Sequence, residues 1–311
     1  MQNNVRSMLE GALISGIFLV LMFTTIYTPL GIITAMALPV PFTIYAARND
    51  LKKSMLVVAA SGLLTIFIGA LPSIFSALFA GLLGVVMGVL YRQGKSAFHV
   101  FVGGSLASLA FLLGSLVISY YVLNINPVTT IQEMMNQSIE MSRSIMEQIG
   151  PADEKQTAML TDMVGMIGKM VPMLLILGST QFALINHWFS RKVLQRLGTP
   201  VPSFPPFREW RWPRSIMYYY LVVLLGSIIV GAQGGDMWET LLLNIKPILD
   251  IMMMIQGLSF LFFFSHSKGW GKAIPITAIV LVFIFPPFPF ILVLLGILDL
   301  GIDLRSKVSK K

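Results

Sequence analysis

Two ionisable groupings stand in stretches otherwise too apolar to carry charge. Lys246 and Asp250 lie four residues apart, with Pro247 between them and Asn244 and Gln256 nearby. On a helix that spacing puts both on one face, where ammonium and carboxylate can pair. A charge at the centre of a membrane helix costs roughly 2.5–3.5 kcal/mol, so the pair must earn its place. Either Lys246 reaches outward to water with Asp250 as its counter-ion, or the pair contacts a solute or coupling ion. Gln181, in another apolar stretch, joins Lys246, Asp250 and Gln256 as the candidate solute-binding set.

The second grouping is Asp299, Asp303 and Arg305, expected to form a cluster at the cytoplasmic end of the last helix. Two carboxylates one helical turn apart need a cation. Arg305 is too near Asp303 in sequence to face it along a continuous helix. The cation is therefore expected from another loop, with Arg48, Lys52 and Lys53 as candidates.

Other chemistry is missing from the residue pattern. His99, His187 and His266 stand far apart, and no His/Asp/Glu grouping has metal-ligand spacing, so no metal is expected. The chain has no cysteine, hence no disulfide, thiolate site or cysteine nucleophile. Gly94-Lys95-Ser96 resembles the end of a phosphate-binding loop, but the upstream Gly88 is one place too far and follows a helix rather than a strand. No catalytic residue and no cofactor is assigned, and the chain does not read as an enzyme.

The elements that must hold these groups are written in the composition. Of 311 residues 56% are apolar and 12% charged, and mean hydropathy is +0.80. A soluble domain has about 25% charged residues. The chain is therefore an all-α, polytopic transmembrane bundle rather than a nucleic-acid-binding domain, despite its net charge of +8. Runs of spanning length cover 9–28, 31–47, 54–70, 73–91, 98–123, 164–189, 215–232 and 243–265. A last stretch, 273–304, is broken at Pro286-Pro287 into two short limbs, either two tilted spans or a re-entrant hairpin. About ten passes result, in a single membrane domain over 1–311.

Basic residues set the orientation. With the N-terminus inside, the cytoplasmic side collects all but Arg143, Lys155, Lys169 and Lys246 of the 22 lysines and arginines. This is the positive-inside pattern, and it puts both termini in the cytoplasm. An acidic segment, 124–162, then lies outside as a helical insertion. Ile131, Met135, Ile139 and Ile145 recur there at helical steps, and Gly150-Pro151 marks the turn of a hairpin. The cytoplasmic loop 190–214 is basic and aromatic; Trp210, Arg211 and Trp212 read as an interfacial anchor or a docking surface. In the first span Gly11, Ala12, Ser15 and Gly16 make a small-residue face suited to close helix packing or to a partner.

Three stretches together resemble a known family. They are Leu9-Glu10-Gly11-Ala12-Leu13, the loop Pro206-Phe207-Arg208-Glu209-Trp210-Arg211-Trp212-Pro213, and the ending from Leu295 through Asp299 and Asp303 to Arg305. They resemble the YybS-like membrane proteins of Gram-positive bacteria, over nearly the whole chain. That family is distantly similar to the solute-binding S components of energy-coupling-factor transporters. The resemblance implies a membrane subunit with no ATPase of its own, whose first span would meet a coupling subunit through Gly11, Ala12, Ser15 and Gly16. S components usually have six spans, fewer than here. The competing expectation is a non-transporting scaffold or regulator that docks a cytoplasmic protein on its basic loops. The partners implied are the lipid bilayer, a coupling subunit or cytoplasmic protein, and a small solute, with no nucleic acid.

The charge distribution predicts how a chain free of cysteine will label. With cysteine introduced at Ser138 or Ser309, an impermeant thiol reagent should modify position 138 in intact cells and leave 309 untouched. Labelling of 309 in sealed cells would reverse the orientation.

Overall fold

Helices begin and break where proline and glycine interrupt the apolar runs. A computed structural model describes residues 2–147, 154–229, 235–271 and 273–309, and every regular element among them is helical. In chain order these are α1 (Gln2–Tyr27), α2 (Gly31–Ala37), α3 (Pro39–Arg48), α4 (Leu51–Gly69), α5 (Ser73–Arg92), α6 (Ala97–Tyr121), α7 (Pro127–Glu147), α8 (Glu154–Arg196), α9 (Arg214–Ile229), α10 (Gly235–Ser267), α11 (Ala273–Ile284), α12 (Phe288–Ile302) and α13 (Leu304–Ser309). Seven stretches are long and apolar enough to cross a membrane: α1, α2 with α3, α4, α5, α6, the greater part of α8, and α10. The apolar helices α9, α11 and α12 are shorter. At 1.5 Å per residue α11 and α12 extend about 18 and 22 Å, less than a hydrocarbon core of about 30 Å.

By packing, the chain divides into two compact units, Met1–Pro127 with Leu175–Phe204, and Val128–Leu174 with Pro205–Lys311. In the first, α3 is buried along almost its whole length, and α5 lies against it. Small residues on the facing side of α5 permit this. Ala77 and Ala80 are fully buried, and a methyl added to Gly88 would strike Ala46 and the Thr43 carbonyl. Phe18, Met22 and Phe42 fill one side of this core, and Leu83, Met87, Tyr91 and Val100 the other.

The second unit is built on α10 and α12. These helices touch backbone to backbone, because a methyl at Gly257 would overlap the Leu292 carbonyl oxygen and one at Gly296 that of Met253. Tyr220, Leu249, Met253, Val293 and Leu300 pack around the crossing. Alongside, α7 meets α8 through Gln132, whose Nε2 donates to the Val164 carbonyl at 3.2 Å.

Several boundaries differ from the sequence reading. The insertion expected over 124–162 contains α7, which starts at Pro127, a residue suited to a first helical turn. Its apolar stripe is not what it packs with, since Ile131, Met135 and Ile145 stay exposed. The turn expected at Gly150-Pro151 lies outside the described residues. The loop expected over 190–214 is shorter, because α8 runs on to Arg196. The Pro286-Pro287 turn between α11 and α12 is present.

The backbone contact of α10 with α12 generates a stability prediction. Gly296→Ala should lower stability by about 1–3 kcal/mol, the usual penalty of overpacking. Gly114→Ala meets open space and should be neutral or slightly stabilising. Thermal unfolding in detergent measures both; equal tolerance at the two sites would contradict the contact.

Candidate functional site

Lys246 and Asp250 meet as their spacing requires, Nζ to Oδ2 at 2.7 Å, on either side of Pro247 within one turn of α10. The Tyr220 hydroxyl faces the same carboxylate. The side chains keep 39% and 31% of their exposure, so this is a half-open pair. Asn244 does not join it. Its side-chain amide donates to the Lys169 carbonyl at 2.7 Å and accepts from the Met173 amide at 2.8 Å. Those two backbone groups flank Pro172, which interrupts the ladder of α8, and the Asn244 amide satisfies what a straight helix would pair internally. Lys169 also reaches Asp236 at 2.5 Å and Glu239 at 2.9 Å, tying α8 to α10 in a contact that sequence reasoning missed.

Of the four residues expected to form a solute site, Lys246 and Asp250 meet on α10. Gln256 is buried elsewhere on α10, and Gln181 is exposed and belongs to the other compact unit.

Gln256 is instead part of a network centred on Asp299. Asp299 is fully buried, and its Oδ2 accepts from Gln256 Nε2 at 2.6 Å and from Arg305 Nε at 3.0 Å. Its Oδ1 has no hydrogen-bond partner among the described residues. On one continuous helix, residues six apart would point to different sides. The pairing forms because Asp303 adopts a left-handed conformation, φ 51°, and ends α12 so that α13 turns Arg305 back. Such a break is uncommon outside glycine, and aspartate is among the residues that tolerate it.

The rest of the Arg305 guanidinium holds the loop between α8 and α9. It donates to the Arg208 and Trp210 carbonyls, each at 2.9 Å, and to Ser259 Oγ at 3.0 Å. Ser259 Oγ lies 2.8 Å from the Phe207 carbonyl and 2.7 Å from that of Trp210. The Trp212 amide donates to Gln256 Oε1 at 2.8 Å. Asp303 takes its cations from Arg211 at 2.9 Å and Arg214 at 3.7 Å, rather than from Arg48, Lys52 or Lys53. Of the residues expected as an interfacial anchor, Arg211 pairs with Asp303, the Trp210 indole donates to the Pro205 carbonyl and the Trp212 backbone amide to Gln256.

Within the first unit the structure shows a feature with no sequence signal. Residues from α2, α5, α6 and α8 line a cavity of about 530 Å³. Phe75, Phe79, Phe111 and Phe182 supply aromatic walls, and Ser76, Ser115 and Ser119 the polar points. Ser115 and Ser119 donate to the Leu112 and Ile125 carbonyls, leaving their oxygens as acceptors. No charged residue lines it. Nearer the end of α8, Asn186 and His187 are buried. Asn186 Nδ2 donates to Thr43 Oγ1 at 2.9 Å, and the Tyr91 hydroxyl lies 2.6 Å from His187 Nδ1.

The first-span residues divide between inside and outside. Gly11 and Ser15 are buried against α4, with Ser61 Oγ donating to Ser15 Oγ at 2.9 Å. Ala12 and Gly16 face outward, and a methyl on Gly16 would meet nothing within 4 Å.

The Asp299 network predicts asymmetric mutant behaviour. Arg305→Met strands a buried carboxylate and should cost about 3–5 kcal/mol. Adding Asp299→Leu should recover part of this, because removing both partners relieves the stranded charge. Trypsin should then cleave faster at Arg208 and Arg211 in both variants, since the loop has lost its clamp. A double variant no more stable than the single one would contradict the pairing.

Comparison with known proteins agrees with a membrane assignment. A family model described as "Predicted membrane protein (DUF2232)" matches residues 16–300. The chain is 29% identical over 307 residues to "Uncharacterized protein YybS" of Bacillus subtilis (strain 168), covering 98% of this chain and 99% of that protein. No solved structure matches it. With the apolar helices, the clamped loop and the family match together, the chain belongs to the DUF2232 family of membrane proteins.

Proposed function

We propose that this protein is a solute-binding subunit of a membrane transport system, with no ATPase of its own, and that the aromatic cavity of its first unit is the solute site. The cavity carries the reading. Its volume, about 530 Å³, lies in the range of small-molecule sites, about 300–1,000 Å³. Its lining, four phenylalanines with a few hydroxyl oxygens, has the composition of such sites: apolar walls for affinity and few polar points for orientation. The absence of charge from the lining favours a neutral, largely apolar organic solute that carries a donor for the serine oxygens.

Orientation supports the same reading. The lining residues come from the start of α5 and the end of α6, which under the ten-pass arrangement with cytoplasmic termini lie on the outer side. Lys246 and Asp250 then serve their own helix face, with Asp250 as counter-ion to an outward-reaching lysine. The scaffold alternative draws less support, because Arg211 and Arg214 are engaged by Asp303 and Arg208 and Trp210 give their carbonyls to Arg305.

Occupancy of the cavity is measurable as linked stability. A solute that binds the folded state at a hundred times its Kd raises stability by about 2.7 kcal/mol. A screen of neutral organic solutes should find compounds that raise the unfolding temperature of the wild type. Ser115→Leu, which fills the cavity, should abolish that rise while leaving the unliganded protein folded. A rise that persists in Ser115→Leu would move the site elsewhere.

A further inference from the structure

A second, amphiphilic recess lies in the first unit, away from the aromatic cavity. Its polar part, about 290 Å³, sits where α1 begins and α3 gives way to α4, and is lined by Arg6, Arg48 and Lys53 with Glu10, Asn49 and Asp50. Its apolar part, about 750 Å³, is a furrow between α1 and α4, with Ala12, Gly16, Leu56 and Ala60 on its walls. Ser7 and Lys53 line both, so the two parts are continuous.

We propose that this recess binds one anionic phospholipid, its headgroup among Arg6, Arg48 and Lys53 and an acyl chain in the furrow between α1 and α4.

Charge, reach and shape favour this occupant. Three cations line the polar part against two carboxylates, an excess of positive charge. Glu10 stands 3.7 Å from Arg6 and 3.5 Å from Arg48, ion pairs too long to be good hydrogen bonds. The guanidinium N–H groups therefore keep donors for phosphate oxygens, which arginine binds in a fork. From Ser7 to Leu19 the furrow follows α1 for twelve residues, about 18 Å. One leaflet of a core about 30 Å thick is about 15 Å deep. The furrow thus has the length of one lipid leaflet and begins at the basic end. It stays open because Gly16 has no side chain and that of Ala12 is a single methyl. This inference does not depend on the solute reading.

The test uses the full chain in phosphatidylcholine vesicles with a minority of phosphatidylglycerol, extracted in mild detergent and analysed for retained lipid by native mass spectrometry. The expected result is one phosphatidylglycerol per chain, retained in preference to phosphatidylcholine. Arg6→Gln with Arg48→Gln should reduce that preference by about threefold for each lost cation, without loss of the folded state. Arg6→Gln alone, at a side chain 78% exposed, supplies the same readout if the double variant does not fold. Gly16→Leu should lower retention of both lipids by filling the furrow. Equal retention of the two lipids by the wild type would overturn the proposal. So would displacement of the lipid by inorganic phosphate alone, which marks a free-anion site, or a lipid-free dimer that Gly16→Leu dissociates, which makes a second copy the occupant.

Discussion

The buried contact between Asp299 and Arg305 fixes more of the second unit than any other interaction. A carboxylate with no exposed surface has lost its water and requires compensation inside the protein. Gln256 and Arg305 supply it at Oδ2. The same guanidinium then captures two loop carbonyls and Ser259, so one cation joins the C-terminal helix, α12, α10 and the loop before α9. The approach depends on the α10 and α12 backbones touching at Gly257 and Gly296; larger residues would hold Gln256 and Asp299 apart.

The same principle shapes the apolar helices throughout. Hydrocarbon offers no hydrogen bonds, so polar groups within spans need partners from the chain. Asn244 repairs the ladder of α8 beside Pro172. In the first unit Thr43, Asn186 and Ser190 form a buried chain of side-chain bonds, and Tyr91 meets His187. Set beside these closed contacts, the aromatic cavity and the amphiphilic furrow are places where packing leaves room.

What could be read from the sequence was what local physics decides. Apolar runs, their charged ends and the Pro286-Pro287 break define helices before any contact forms, and Lys246 with Asp250 follows from helical periodicity alone. The cluster of Asp299, Asp303 and Arg305 was legible in sequence, but its pairing was not. Continuous-helix geometry excludes Arg305, and only the left-handed backbone at Asp303 brings it back. Asn186 and His187 stand near the end of an apolar run, yet α8 extends ten residues beyond Asn186, and Thr43 of α3 and Tyr91 of α5 bond their buried side chains. The aromatic cavity draws on four separate helices, so no window of sequence contains it.

The solute-binding account rests on whether the aromatic cavity holds a small molecule in the cell membrane. Native mass spectrometry of the protein released directly from its own membranes measures this. The account predicts a bound mass in the range of a small organic metabolite, stoichiometric with the chain, found in the wild type and missing from Ser115→Leu. A wild-type chain that carries only lipid, or a small molecule retained equally by Ser115→Leu, would contradict it.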